Sequence, residues 1–222
     1  MLTSRLKSAS SVSTLVPTLT YQTNSAINAS QSTYNFNGIS IGGAGLIVVT
    51  IHSERAVSSG TVSSATIGGV SATLHVNTTI NTGYGGLMSA VISSGSTADI
   101  SITFTQSQAR TAIGVWRIQD YNSTTPLSSP NSNTSGATTG TSVTATSLQT
   151  NAVIVAGYTM SLDNNTVTWT NATSRYALLQ IGGGSTAGYG ADKTASSSSD
   201  ITISTSHNSV TSNNILFCGA WF

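Results

Sequence analysis

The sequence predicts an all-β protein, an antiparallel β-sandwich of the jelly-roll type built from two repeats of about 100 residues. Apolar residues alternate with hydroxyl residues at a spacing of two, as in Ile100, Ile102 and Phe104, and Gly or Asn turns separate the runs. The segment DISITF from Asp99 also returns as DITIST from Asp200, 101 residues later. A period of this length is too long for a solenoid and indicates a duplicated half-barrel or small sandwich.

Three further pairs of segments support the repeat. The triplet Gly-Tyr-Gly at 83–85 returns at 188–190, and Thr66-Ile67 matches Thr168-Trp169. An aromatic strand follows each Asp-Ile segment, IGVWRI in the first repeat and ILFCGAWF in the second. The pattern divides the chain into an arm at residues 1–18, a first repeat at 19–121, a linker at 122–140 and a second repeat at 141–222.

Two packings of the repeats fit this pattern. Each repeat can close its own small sandwich, or both can supply strands to one larger sandwich. The apolar runs Val153–Val155 and Ile215–Phe217 lack an exposed face and therefore favour the single sandwich. The expected core residues are these two runs, the run Ile47–Val49, the lone Cys218, Trp116 and Trp221.

The composition is unusually poor in charge. Charged residues make up 6% of the chain, against a usual level of about 25%, and the formal net charge is +1. Near-zero net charge promotes association, so we expect a homo-oligomer, such as a trimer, or packing against a larger particle. The few basic residues form no run, which argues against a nucleic-acid partner. Ser and Thr interrupt the apolar stretches near the N-terminus, so neither a signal peptide nor a membrane span is expected.

Catalytic, metal and cofactor sites are not expected. Asp99 and Asp200 sit at turns that precede strands and are interpreted as turn formers. His52 and Glu54 would share a strand face, but a loop ion pair that includes Arg55 explains them better than a hydrolytic set. The glycine strings lack the Gly-Lys-Ser/Thr ending of a phosphate loop, and the acidic residues lack the spacing of a calcium loop.

Aromatic residues give the only candidate ligand contacts. Tyr84 and Tyr189 each stand between glycines at matching points of the repeats, and Trp169 lies in a short strand. Rings in such positions can stack on a host glycan or contact a receptor. The alternative is that the rings fold back over the end of the sandwich.

The order of these segments resembles a known class of protein. An apolar strand, a Thr-Ile/Trp hairpin, an Asp-Ile strand and an aromatic end strand occur on both sides of Ser-Thr-Thr-Pro-Leu at 123–127. This order resembles duplicated, low-charge β-sandwich accessory proteins of tailed-bacteriophage virions. The resemblance implies a non-enzymatic protein that decorates the capsid or is attached as a fibre or tail accessory. It also implies capsid or tail proteins as partners and a place in the virion after synthesis in the host cytoplasm.

The arm supplies the predicted attachment, because Ser-rich chain without an amphipathic period cannot easily offset its own ordering entropy. A carbohydrate- or receptor-binding module is the alternative function, and a polysaccharide hydrolase would require a carboxylate pair that the sequence does not suggest. The predicted anchor residues of the arm are Leu2, Arg5, Leu6, Lys7, Leu15 and Val16.

Overall fold

The computed structural model describes residues 15–56, 60–81, 83–161, 166–178 and 186–222. The predicted fold class is confirmed: the protein is all-β, with antiparallel sheets packed together in the manner of a β-sandwich. No hydrogen-bonded strand pair joins the first half of the chain to the second within these residues. We therefore describe a first half, which holds β1–β8, and a second half, which holds β9–β14.

The first half is one sheet in the order β5-β4-β8-β3-β7-β6, with β1 and β2 also paired to β8. The long strand β8 pairs with β2 and β4 through residues 97–108 and with β1 and β3 through its later residues. The strands are β1 (Thr18–Ile27), β2 (Gln31–Ser40), β3 (Gly45–Arg55), β4 (Val62–Ile67), β5 (Val70–Ser71), β6 (Thr73–Ile80), β7 (Gly83–Ile92) and β8 (Thr97–Gln119).

The second half is a sheet in the order β11-β14-β10-β13-β12, with β9 paired along β14. The long strand β14 pairs with β11 near its start and with β10 near its end, as β8 does with β4 and β3. The strands are β9 (Asn131–Ala145), β10 (Val153–Ser161), β11 (Val167–Thr170), β12 (Thr173–Leu178), β13 (Thr186–Thr194) and β14 (Ile201–Trp221).

Each half folds its sheet over a core of its own. In the first half, Ile100 and Ile102 from the start of β8 lie in one buried cluster with Ile47 and Val49 from β3. In the second half, Ile203 from the start of β14 shares a cluster with residues of β10 and β13. Because β8 and β14 each pair with different neighbours along their lengths, each strand carries the chain from one layer of its half to the other.

A third apolar cluster lies between the halves, and we call it the half interface. It contains the side chains that β3, β7 and β8 turn away from the first core, with those that β10, β12 and β14 turn away from the second. This face-to-face packing corresponds to the favoured single sandwich, whereas the separate core of each sheet corresponds to the alternative in which each repeat closes its own small sandwich. Trp116, Trp221, Cys218, Ile47–Val49 and Val153–Val155 are all fully buried, which confirms their predicted burial.

The predicted linker was wrong over half its length. Residues 131–140, assigned to a linker, are the first ten residues of β9, which pairs with β14 from Phe217 back to Ile201. Their Ser, Thr, Asn and Gly composition is typical of a loop. The backbone ladder with β14 supplies the hydrogen bonds that composition alone could not predict.

One strand pairing of the first half recurs at the corresponding place in the second. Tyr84 lies opposite Ser53 and Tyr189 opposite Tyr158, and both members of the second pair lie 105 residues after those of the first. The match of Thr66-Ile67 with Thr168-Trp169 does not follow a common register, because Thr66 pairs with Ser101 whereas Thr168 pairs with Ser206. Duplication itself stays a prediction, to be tested by superposing the two halves on their strands.

Candidate functional site

The candidate functional site in the described chain is the half interface. Large side chains from each half pack directly against glycines of the other half or of a neighbouring strand. The ring of Phe217 covers Gly85 of the first half, and the ring of His52 covers Gly188 of the second. A Cβ atom at Gly188 would lie 2.6 Å from His52 Cγ, so only glycine leaves room for the imidazole in this geometry.

The repeated Gly-Tyr-Gly triplets belong to this interface. Side chains alternate between the faces of a strand, so Tyr84 and Tyr189 enter their own cores while Gly85, Gly188 and Gly190 face the opposite half. Tyr84 is 1% exposed and Tyr189 is 2% exposed. The prediction that these two rings contact a glycan or receptor was therefore wrong, because neither ring face reaches the surface.

A hydrogen-bonded network crosses the interface around His52. Its Nδ1 atom lies 2.8 Å from Thr159 Oγ1, and its Nε2 atom lies 2.7 Å from the hydroxyl of Tyr176. The Tyr176 hydroxyl also lies 2.6 Å from Thr50 Oγ1. Burial lowers the pKa of His52 to about 3 and raises the pKa of Tyr176, so both groups are neutral at ordinary pH.

A carboxylate makes the second polar link. Asp192 Oδ2 accepts hydrogen bonds from Trp116 Nε1 at 2.9 Å and from Arg175 Nε at 2.7 Å, while Oδ1 accepts from Arg175 Nη2 at 2.8 Å. Trp116 belongs to the first half and Asp192 to the second. Tyr21 completes the cluster, with its ring 5.3 Å from that of Trp116 in an edge arrangement. Trp116 therefore has both its ring packed and its N–H satisfied by this contact.

The other conspicuous carboxylates are also engaged in the fold. Asp99 Oδ1 accepts from the backbone N–H of Gly38 at 2.7 Å, and Asp200 Oδ1 accepts from that of Ser147 at 3.1 Å. Asp200 precedes β14 and binds the bend after β9, as predicted for a turn former, whereas Asp99 lies inside β8 and binds β2 at its register irregularity. Glu54 Oε2 lies 3.8 Å from Arg110 Nε on the neighbouring strand β8. The expected loop ion pair with Arg55 was therefore wrong, because Glu54 lies in a strand and pairs with Arg110.

The remaining predicted site residues do not come together. Trp169 is half-buried and packs edge-on against Tyr158, with ring centroids 6.4 Å apart. Leu15 and Val16 lie exposed beside Asn122, whose side chain bonds both backbone groups of Leu15. Leu2, Arg5, Leu6 and Lys7 lie outside the described residues.

The triplet at 83–85 gives a matched test of the interface. A Cβ atom at Gly85 would lie 2.7 Å from Ile215 Cγ2 and 2.9 Å from Phe217 Cε1, whereas at Gly83 the nearest atom is 3.7 Å away. We expect Gly85→Ala to lower the free energy of unfolding by about 1–3 kcal/mol through overpacking. Gly83→Ala should leave it unchanged or raise it by less than about 1 kcal/mol. Equal denaturation midpoints for the two variants would contradict this assignment of the interface.

No protein-family model matches the chain, and no curated protein sequence matches it. Among the described residues, no three His, Cys, Asp or Glu side chains are grouped so as to hold a metal ion. The same residues contain no helix of the length and hydrophobicity needed to cross a membrane.

Proposed function

We propose that the protein is a non-enzymatic structural component of a tailed-bacteriophage virion, which decorates the capsid or is attached as a fibre or tail accessory. The observation that carries the proposal is that the reactive side chains make contacts that stabilise the fold. His52, Asp192 and Tyr176 tie one half of the chain to the other. Asp99 and Asp200 bind the backbone of their own halves. The groups that a hydrolase would present in a cleft here hold the molecule together.

The rigid joining of the halves also favours a structural role. Two small sandwiches on a linker would move independently, whereas the half interface buries Leu46, Val48, Leu87, Ile215 and Phe217 completely or almost so. Burial of such side chains stabilises a contact by about 1.5–3 kcal/mol each. A rigid block with a neutral surface can repeat at many equivalent positions of a particle without charge repulsion between neighbours.

The arm is proposed to supply the attachment. Leu15 and Val16 are 48% and 54% exposed, although both are large and apolar. Asn122 binds the N–H and the carbonyl of Leu15, which fixes the point where the arm leaves the first half. Leu2 and Leu6 offer further apolar contacts to a neighbouring copy or capsid protein, and Arg5 and Lys7 offer contacts to an acidic surface.

Removal of residues 1–14 tests the attachment. We expect the truncated protein to keep its melting temperature, because Leu15, Pro17 and the whole of β1 remain. We also expect it to lose self-association, which sedimentation velocity on both forms would measure. Undiminished assembly of the truncated protein would show that residues 1–14 are not the anchor.

The place in the virion needs a separate measurement. Particles banded from a lysate of the host that carries the coding sequence should contain peptides of this chain at a copy number that matches a symmetric assembly. Its absence from purified, infectious particles would contradict the virion proposal whatever the oligomeric state. A glycan-binding function through the three predicted aromatic residues is less favoured, because Tyr84 and Tyr189 are buried and Trp169 alone of the three is partly exposed.

A further inference from the structure

A polar pocket lies at the edge of the half interface, between strands β6 and β7 and residues 124–125. Its volume is about 160 Å³, which is room for roughly five water molecules. Five hydroxyl groups line it, and Leu46 and Val91 supply apolar wall. The hydroxyl groups belong to Ser71, Thr73, Ser89, Thr124 and Thr125.

His75 is held in this pocket by three features of the fold. The register of β6 against β7 shifts between Leu74 and Val76, which places His75 at an irregularity of the kind that redirects a side chain. Its Nε2 atom lies 2.8 Å from Ser89 Oγ, and Ser89 is itself only 3% exposed. The edge of the His75 ring meets Trp221 with centroids 5.6 Å apart. The imidazole is thus a fixed part of the wall.

The pocket selects against charge. Every described residue that lines it is uncharged at neutral pH, and burial lowers the pKa of His75, which keeps the ring neutral. An ionised ligand would lose hydration there without gaining an opposite charge. A neutral ligand with several hydroxyl groups would replace its hydrogen bonds to water by hydrogen bonds to the five hydroxyl groups and the imidazole.

Apolar surface is exposed at the same place. Val91 lines the pocket and is 44% exposed. A hexose ring has hydroxyl groups around its edge and C–H groups on its faces. The C–H groups match Val91, and the hydroxyl groups match the Ser, Thr and His75 wall.

We propose that this pocket binds one neutral hexose unit of a glycan, with Thr73, His75 and Ser89 as hydrogen-bonding partners and Val91 as the apolar contact. The site differs in place and residues from the aromatic contacts predicted from the sequence. It goes beyond the structural role, because a particle protein can assemble without binding a sugar, and the two proposals fail independently.

The test is an amide NMR titration of the full chain with methyl glycosides of glucose, galactose, mannose and N-acetylglucosamine. Concentrations up to about 50 mM cover the millimolar affinities, near −4 kcal/mol, expected of a single small ligand. We expect saturable shifts at residues 73–75, 89–91 and 124–125 with at least one of the four. Free hexoses and lactose form separate arms, which distinguish a free sugar from the terminal unit of a glycan.

Two variants and one control make the result specific. Thr73→Val removes one hydroxyl from an exposed residue and so keeps the fold. Ser89→Ala removes the hydrogen-bonding partner of His75 Nε2. Each should weaken binding about 2–10-fold, as loss of one hydrogen bond predicts. Ser197→Ala lies in a separate shallow pocket lined by Lys193, Asp200 and Thr202 among others, and it should change nothing. Absence of saturable shifts with all neutral sugars, shifts centred elsewhere, or tighter binding of glucuronic acid would overturn the proposal.

Discussion

Replacing Phe217 by alanine should lower the free energy of unfolding by about 3–5 kcal/mol, the usual cost of truncating a buried aromatic side chain. Phe217 is fully buried, and its ring fills the space above Gly85 and Gly157 and lies 5.8 Å from the ring of His52. The lost atoms leave a cavity between the halves that the glycines cannot fill. Urea denaturation followed by tryptophan fluorescence measures the change.

The control for this prediction is Ser197→Ala. Ser197 is exposed, and its hydroxyl accepts a long hydrogen bond from the backbone N–H of Ser199, at 3.4 Å. We expect a change within about 0.5 kcal/mol, as for most surface substitutions. Equal midpoints for the two variants would mean that the half interface contributes little to stability. A second transition in Phe217→Ala alone would mean that the halves unfold separately once the contact is weakened.

Acid should destabilise the protein through His52. The pKa of this residue is about 3 in the folded state, against about 6.5 in an unfolded chain. Above pH 6.5 neither state binds the proton, so stability is full. Between pH 6.5 and pH 3 the unfolded state is protonated and the folded state is not, so stability falls as pH falls. At about 1.36 kcal/mol per pKa unit, the loss amounts to roughly 3–5 kcal/mol over this window.

A variant separates His52 from other acid-sensitive groups. Burial also lowers the pKa of His75, which contributes in the same direction. His52→Gln keeps a neutral side chain with hydrogen-bonding groups in contact with Thr159 and Tyr176 but does not titrate in this range. Denaturant titrations at several pH values should give a shallower loss of stability for the variant than for the parent protein. Parallel pH profiles would show that His52 is not the group that makes the fold acid-sensitive.

These two predictions bear on the proposed role. A particle component must keep its shape while many copies contact one another, and the half interface combines apolar burial with the links from His52 and from Asp192 to Trp116. If Phe217→Ala uncouples the halves, assembly should fail under conditions in which each half stays folded. The interface would then be required for function without any contact to a partner.

Strand positions and core residues could largely be predicted from the sequence. The alternation of Ile100, Ile102 and Phe104 with hydroxyl residues predicted one buried face, and these three are at most 3% exposed. Prediction failed where composition is typical of loops. Residues 131–140 are polar and glycine-containing, yet they form an edge strand, because they pair with residues of β14 that lie 66 to 86 positions further along the chain.

The candidate site was less predictable for a related reason. The repeated Gly-Tyr-Gly triplets are recognisable in the sequence, but the pattern predicts the tyrosines, and not the glycines, as the functional residues. The packing reverses these roles, since Gly85 and Gly190 admit the rings of the opposite half or of a neighbouring strand, and the tyrosines fill their own cores. His75 carried no local signal at all, because its partners Ser89 and Trp221 meet it only in the folded chain.

By itself, the sequence determined that the chain forms antiparallel strands, that their apolar side chains build a core, and that the surface is nearly neutral. Only the tertiary structure decided how that core is divided. Central strands such as β3 and β10 are apolar on both faces, with Ile47 and Val49 in the first core and Leu46 and Val48 in the half interface. The period of two separates the faces of a strand but does not say which sheet covers each face. That choice depends on long-range packing, in which a glycine of one half lies opposite a ring of the other.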